Sequence, residues 1–219
     1  MARLSSAWLL AVAKPDLKFF NNERGANAPR FLFMRISFKE WAVIVDALGT
    51  SRQILILRKG GISEGRAGFQ VDHPEFFLFP TIFHQQRESV LPEAQARFDQ
   101  LEFPVADILR IEYFCRVAWR RLDSLEVARR LNGQHVWKPE VIAERFDWGC
   151  SKAIFALAVR TYRLPERVEL PMLPSYAGCK SWIELERDID ISTARPVLDN
   201  SEFDQRLKHF EAAIDPAKA

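Results

Sequence analysis

The stretch LRIEYFCRVAWR, residues 109–120, decides the fold class. Leu109, Ile111, Tyr113, Cys115, Val117 and Trp119 fill one set of alternate positions; Arg110, Glu112, Phe114, Arg116, Ala118 and Arg120 fill the other. Successive side chains of a strand point to opposite faces, so this alternation predicts a long antiparallel strand with one buried face and one wet face. On its N-terminal side, Ile54–Leu57 and Phe76–Phe79 are short apolar runs expected as buried strands, the second ended by Pro80. Between Phe38 and Leu48, apolar residues at Phe38, Trp41, Ala42, Val45 and Leu48 give helical spacing, although Val43 and Ile44 leave a strand open. On its C-terminal side, helices are expected at 123–131 and 139–146, strands at 154–162 and 180–186, and a last helix at about 201–213. Strands outnumber helices and are not regularly interleaved with them. The expected class is α+β, with a strongly curved or barrel-like mixed or antiparallel sheet and flanking helices.

Residues 1–30 read as a loose extension, residues 31–190 as one α+β domain and residues 191–219 as a tail carrying a helix. Hydrophobic residues make up 48% of the 219 and charged residues 27%, a balance that argues against disorder. A formal net charge of +2 excludes a global basic field and leaves only a local patch for an anionic partner. No apolar run reaches the roughly 18 residues of a membrane helix. Ala7–Ala13 after Arg3 mimics a signal peptide at the short limit of apolar length; the reading preferred is a cytoplasmic protein. Three cysteines, Cys115, Cys150 and Cys179, suit a reducing compartment and form no Cys-x-x-Cys pair.

Four segments, KEWAVIVDALG (39–49), ILILRKGGI (54–62), GFQVDHPEFFLFPTIFHQ (68–85) and YAGCKSWIEL (176–185), resemble the uncharacterised family known as domain of unknown function 1802. The resemblance spans about Phe38 to Leu185. It implies no particular reaction; the association of some relatives with restriction-endonuclease-like domains implies a setting in DNA restriction or defence, with a restriction-system or other protein partner. The order of elements is also similar to the PUA-like barrels, which include ASCH and EVE modules and bind RNA or modified bases. The Gly-x-Lys…Glu-x-Arg pattern of ASCH modules is not reproduced around Arg58, where the sequence reads GTSRQILILRK.

Candidate chemistry gathers in four places. Arg58, Lys59, Gly60, Gly61 and Arg66 belong to a glycine-rich basic loop running to Gly68. Glycines let backbone amides approach an anion and the cations neutralise it. The spacing matches neither the P-loop nor the dinucleotide fingerprint, and the same loop reads equally as a hairpin connection. Arg110, Arg116 and Arg120 with Phe114 would make a basic strand face with an aromatic platform for a base, diluted by Glu112 and extended by Arg121, Arg129 and Arg130 where they share that side; an ordinary solvated face explains them as well. His73, His84 and Gln85 bracket the Phe-rich strand, where acid–base chemistry competes with structural hydrogen bonding; their spacing fits no zinc motif, and no metal or cofactor is expected. Lys180 and Trp182 flank Ser181 beside Cys179, a thiol that reads either as a nucleophile or as small packing.

Two functions follow from these residues. The first is a non-catalytic nucleic-acid-binding module for DNA or RNA. The second is a small hydrolase-like or metal-dependent enzyme acting on an anionic substrate. A continuous basic, open face joining the glycine-rich loop to Arg110, Arg116 and Arg120 would favour binding; a closed pocket placing a histidine against Cys179 or a carboxylate would favour catalysis.

Overall fold

The computed structural model describes residues 33–59, 71–82, 84–149 and 152–215. Among these, strands β1 (Phe33–Trp41), β2 (Leu55–Arg58), β3 (Glu75–Thr81), β4 (Ile108–Leu122), β5 (Ile154–Pro171), β6 (Trp182–Asp190) and β7 (Arg195–Pro196) form one sheet. The helices are α1 (Ala42–Gly49), α2 (Pro92–Phe98), α3 (Leu125–Arg129), α4 (Pro139–Asp147) and α5 (Asn200–Ile214). The sheet order is β2-β5-β4-β3-β1-β6, with β7 added to β5, and all pairs are antiparallel except β1 with β3. The α+β class and the mixed sheet are those expected.

The sheet is open, with β2 and β6 at the ends of its hydrogen-bonded path rather than joined as in a barrel. It nevertheless curls until these two edges touch through side chains: Arg58 Nη2 of β2 donates to Ser181 Oγ, one residue before β6, at 2.9 Å. Curvature therefore makes a seam where the two edges of the sheet face each other.

Strand β4 is the long element that the alternation predicts, but it has no wet face at its centre. A register irregularity between Ile111 and Tyr113 in its pairing with β5 splits the ladder into two parts. Tyr113, Cys115, Val117 and Leu122 join a core beneath the helices, together with Phe38, Phe76, Ile44, Trp137 and Phe203. Leu109, Ile111 and Phe114 join a second core with Phe77, Phe79, Tyr176, Ile183 and Leu185. Phe114 is only 2% exposed, so it cannot serve as the solvent-facing platform expected of it.

Other boundaries shift for local reasons. Residues 38–41 complete β1, and the helix begins only at Ala42. Pro80 lies inside β3, opposite Glu40, instead of ending the strand. Helix α5 buries Phe203, Leu207 and Phe210 in the first core, and Asp199 caps it by accepting from Glu202 N–H at 2.8 Å.

Gly49 ends α1 under the ring of Tyr113. A Cβ at this position would sit 2.2 Å from Tyr113 Cζ. That ring is held by Arg163, whose Nη2 donates to both Tyr113 Oη (3.2 Å) and Gly49 O (3.1 Å). Helix propensity alone would favour Ala by up to about 1 kcal/mol, but the clash outweighs it. Gly49→Ala is expected to cost about 1–3 kcal/mol in urea unfolding, and the loss should shrink in a Tyr113→Ala background. Equal losses in both backgrounds would show that the ring is not the obstacle.

Candidate functional site

The seam collects polar and charged groups that the apolar strands around it cannot explain. The end of β1 supplies Lys39, Glu40 and Trp41; the end of β2 supplies Arg58, followed by Lys59. The approach to β6 supplies Cys179, Lys180 and Ser181, and Trp182 opens that strand. Helix α4 adds Arg145, and the segment before it adds Trp137.

Glu40 is the centre of this group. It is 3% exposed, and its Oε1 accepts from the Trp41 backbone N–H at 2.7 Å. Burial raises its carboxyl pKa above the ordinary value of 4.5, while Arg58, the Trp41 N–H and Arg145 pull the other way. The attraction of the two guanidiniums acts through space, with no direct ion pair to Glu40 among the described residues. Arg145 is half-buried over two indoles, 3.8 Å from the Trp137 ring centre and 4.7 Å from that of Trp41. Burial pulls its pKa down to about 10 against the field of Glu40, which leaves it cationic at neutral pH.

Arg58 bridges the sheet edges. Besides its bond to Ser181, it lies over the Phe38 ring at 5.2 Å. Its Nε is buried and has no hydrogen-bond partner among the described residues, as is the Trp137 Nε1. Unpaired buried donors are costly, and their occurrence at one site marks it as more than packing. Lys59 Nζ donates to the carbonyls of Phe146 (2.8 Å) and Ala153 (2.9 Å), tying the end of α4 to the start of β5. Lys39 Nζ donates to Gly178 O (3.0 Å) and to Tyr176 O. Burial lowers the Lys39 pKa; Lys180 and Arg58 add to that effect, and Cys179 opposes it.

Trp182 forms the aromatic wall. Its ring packs against Phe38 (4.8 Å) and Phe76 (5.3 Å), and His73 meets it edge-on at 5.1 Å. Arg58, Lys59, His73, Lys180 and Trp182 are thus brought to one end of the sheet, as a patch with Lys39, Glu40 and Arg145. Gly60, Gly61 and Arg66 lie outside the described residues, as does Cys150. The backbone of His84 and Gln85 opens the 3₁₀ turn His84–Ser89, and their side chains lie outside the description, as do those of Arg120 and Arg121.

The β4 residues do not join this patch as a free basic face. Arg110 is paired with Glu169 at 3.1 Å and Arg116 with Glu75 at 2.8 Å. Arg116 also lies over the rings of Tyr162 (5.5 Å) and Phe114 (6.0 Å). With Phe114 buried, the stacking surface expected on β4 is replaced by an ion-paired and packed one. Cys115 is buried against Thr161, and burial pushes its thiol pKa up to about 12, which removes it as a nucleophile. Cys179 is exposed. Among the described residues, no group of three His, Cys, Asp or Glu side chains is placed to hold a metal ion, and no helix is long and apolar enough to cross a membrane.

Sequence reasoning missed Glu40, Arg145 and Trp137. The one local signal for Glu40 is an ionisable residue between Phe38 and Trp41 in a stretch of otherwise buried type; that for Arg145 is its position beside Phe146 on the inward side of α4.

A family model described as Domain of unknown function (DUF1802) matches residues 37–209, which takes in the seam, nearly all of both cores and most of α5. Comparison with curated proteins and with solved structures gives no match. The resemblance carried by the segments around Glu40, Arg58, His73 and Trp182 thus extends to nearly all of the described fold, and the chain belongs to the DUF1802 family.

Proposed function

We propose that the protein is a non-catalytic nucleic-acid-binding module that contacts DNA or RNA at the seam, in the cytoplasm and in a restriction or defence setting. The observation that carries this reading is the convergence of Arg58, Lys59 and Lys180 with the aromatic pair Trp182 and His73 where the sheet edges meet. Cations that track phosphates beside rings that stack bases are the two components of single-strand recognition. Arg58 is the central residue, because it joins the two sheet edges at the seam. The setting rests on the family resemblance alone.

The contact surface then lies at the seam rather than on β4. In a salt series with labelled single- and double-stranded DNA and RNA, Arg58→Ala is expected to weaken binding about 10-fold or more and to lower the salt slope by about 1. Arg110→Ala, at an ion pair remote from the seam, is expected to leave both unchanged.

The raised carboxyl of Glu40 between two guanidiniums favours a second reading, an enzyme acting on an anionic substrate with Glu40 as its acid. Glu40→Gln separates the two: a binding module keeps most of its affinity, since the anion meets the cations, whereas an acid catalyst loses turnover with binding intact.

A further inference from the structure

A second cluster of hydrogen-bond donors lies at the opposite end of β2 from the seam. A cleft of about 300 Å³ opens there between the segment Arg52–Ile54, the turn Gly133–Gln134 and the face of α5 bearing Arg206 and His209. None of its lining residues is a carboxylate. Gly133 takes a φ of 87°, a left-handed turn that suits glycine and sets Gln134 into the wall. The Gln134 Nε2 amide is buried and has no hydrogen-bond partner among the described residues.

The two guanidiniums are held in place and only partly used. Arg52 donates through Nε to Thr50 Oγ1 (3.2 Å) and through Nη2 to Asp46. Arg206 donates through Nη2 to Glu202 (2.6 Å) and through Nη1 to Ser51 O. Nη1 of Arg52 and Nε of Arg206 stand outside these bonds. Each guanidinium of the cleft has a carboxylate partner outside the lining, Asp46 for Arg52 and Glu202 for Arg206, and Asp46 is also shared with Arg97 at 3.3 Å, so the lining itself presents donors. His209 adds a ring N–H. Guanidinium forks held in place with donors left over, an unpaired buried amide and a lining without a carboxylate match a small tetrahedral oxyanion, which offers acceptors in several directions at once.

We infer that this cleft binds phosphate, as the free ion or as the terminal group of a phosphate monoester. The inference is independent of nucleic-acid binding at the seam. The test is thermal unfolding in sodium phosphate, and separately in glycerol 2-phosphate, against sodium chloride at matched ionic strength. At a hundredfold excess over the dissociation constant, either phosphate is expected to raise Tm by about 5–10 °C. Gln134→Glu and Arg206→Gln should abolish that rise, and Arg58→Ala, at the seam, should retain it. Arg206→Gln also removes bonds to Ser51 and Glu202, so Gln134→Glu, which loses no described bond, carries the decision. Phosphate also stabilises proteins generally by exclusion from their surfaces. An equal rise in wild type and Gln134→Glu, or no rise with either phosphate, would overturn the inference.

Discussion

Trp137→Ala is expected to destabilise the protein by about 4 kcal/mol, measured as the shift in urea unfolding. Trp137 is 1% exposed, and its removal leaves a cavity of indole size in the main core. The loss extends beyond volume. Arg145 would lose the closer of its two rings, leaving its guanidinium with one aromatic face, the bond from Nη1 to Leu57 O and the field of Glu40. Trp41, whose ring meets Trp137 edge-on at 4.8 Å, would lose its neighbour as well. The backbone bridge between Trp137 and Val90 joins the approach to α4 to the segment before α2, so the disturbance would reach α2. Trp137→Phe should recover more than half of the loss. A cost for Trp137→Ala below about 1 kcal/mol would mean that the seam does not depend on this packing.

The second large effect is a loss of stability in acid, traced to His135. This residue is 4% exposed, and its Nδ1 accepts from the Trp137 backbone N–H at 3.2 Å, which places the ring proton on Nε2. Burial lowers its pKa from 6.5 to about 4. The unfolded chain therefore takes up this proton at a higher pH than the folded one. The contribution is fully present above pH 6.5 and is lost progressively as pH falls to about 4, amounting to about 3 kcal/mol in all. Glu40 works in the opposite direction: its raised pKa favours the folded state below 4.5, and that advantage fades as pH rises through the folded value. The difference between wild type and His135→Asn isolates the histidine, since Asn keeps an acceptor for the Trp137 N–H. Urea midpoints at pH 7 and pH 4.5 should fall steeply for wild type and much less for His135→Asn. Parallel curves would show that His135 is not buried as a neutral ring.

The legible parts of the fold were those in which local period and burial agree. Strand β4 could be found because its alternation persists over a dozen residues, and β6 because Ser181, Ile183 and Leu185 all turn inward as their spacing predicts. The change from β1 to α1 was not legible. Trp41 occupies the capping position without any side-chain cap, so no Ser, Thr, Asp or Asn marks the start, and Phe38 and Trp41 happen to continue the helical spacing. The second face of β4 was misread because its charges dominate the pattern, although Phe114 and Ala118 on that face were a sign of cover. Arg58, Lys59, His73, Lys180 and Trp182 were each visible as residue types, but their meeting was not. It depends on a curl of the sheet that brings β2 to β6, two strands at opposite ends of the hydrogen-bonded order. Glu40 was hidden for the same reason: a buried carboxylate is informative only once Arg58 and Arg145 are known to face it.

This geometry also shows why the charge balance of the whole chain is a poor guide to its partners. A net charge of +2 is spread over many local pairs, such as Arg35 with Asp188 and Arg87 with Asp99, which leave little field at a distance. At the seam, Arg58 and Arg145 act on the buried carboxylate of Glu40, and Arg58 and Lys180 lie within the field of Lys39, so cations gather locally although the chain as a whole is nearly neutral.

The most direct test of the seam as the contact surface is the affinity of wild type, Arg58→Ala and Arg110→Ala for a labelled single-stranded oligonucleotide between 50 and 200 mM salt. Binding should weaken with salt, fall about 10-fold or more with a shallower slope for Arg58→Ala, and stay unchanged for Arg110→Ala. Absence of binding by wild type at low salt, or equal affinities for wild type and Arg58→Ala, would contradict contact at the seam.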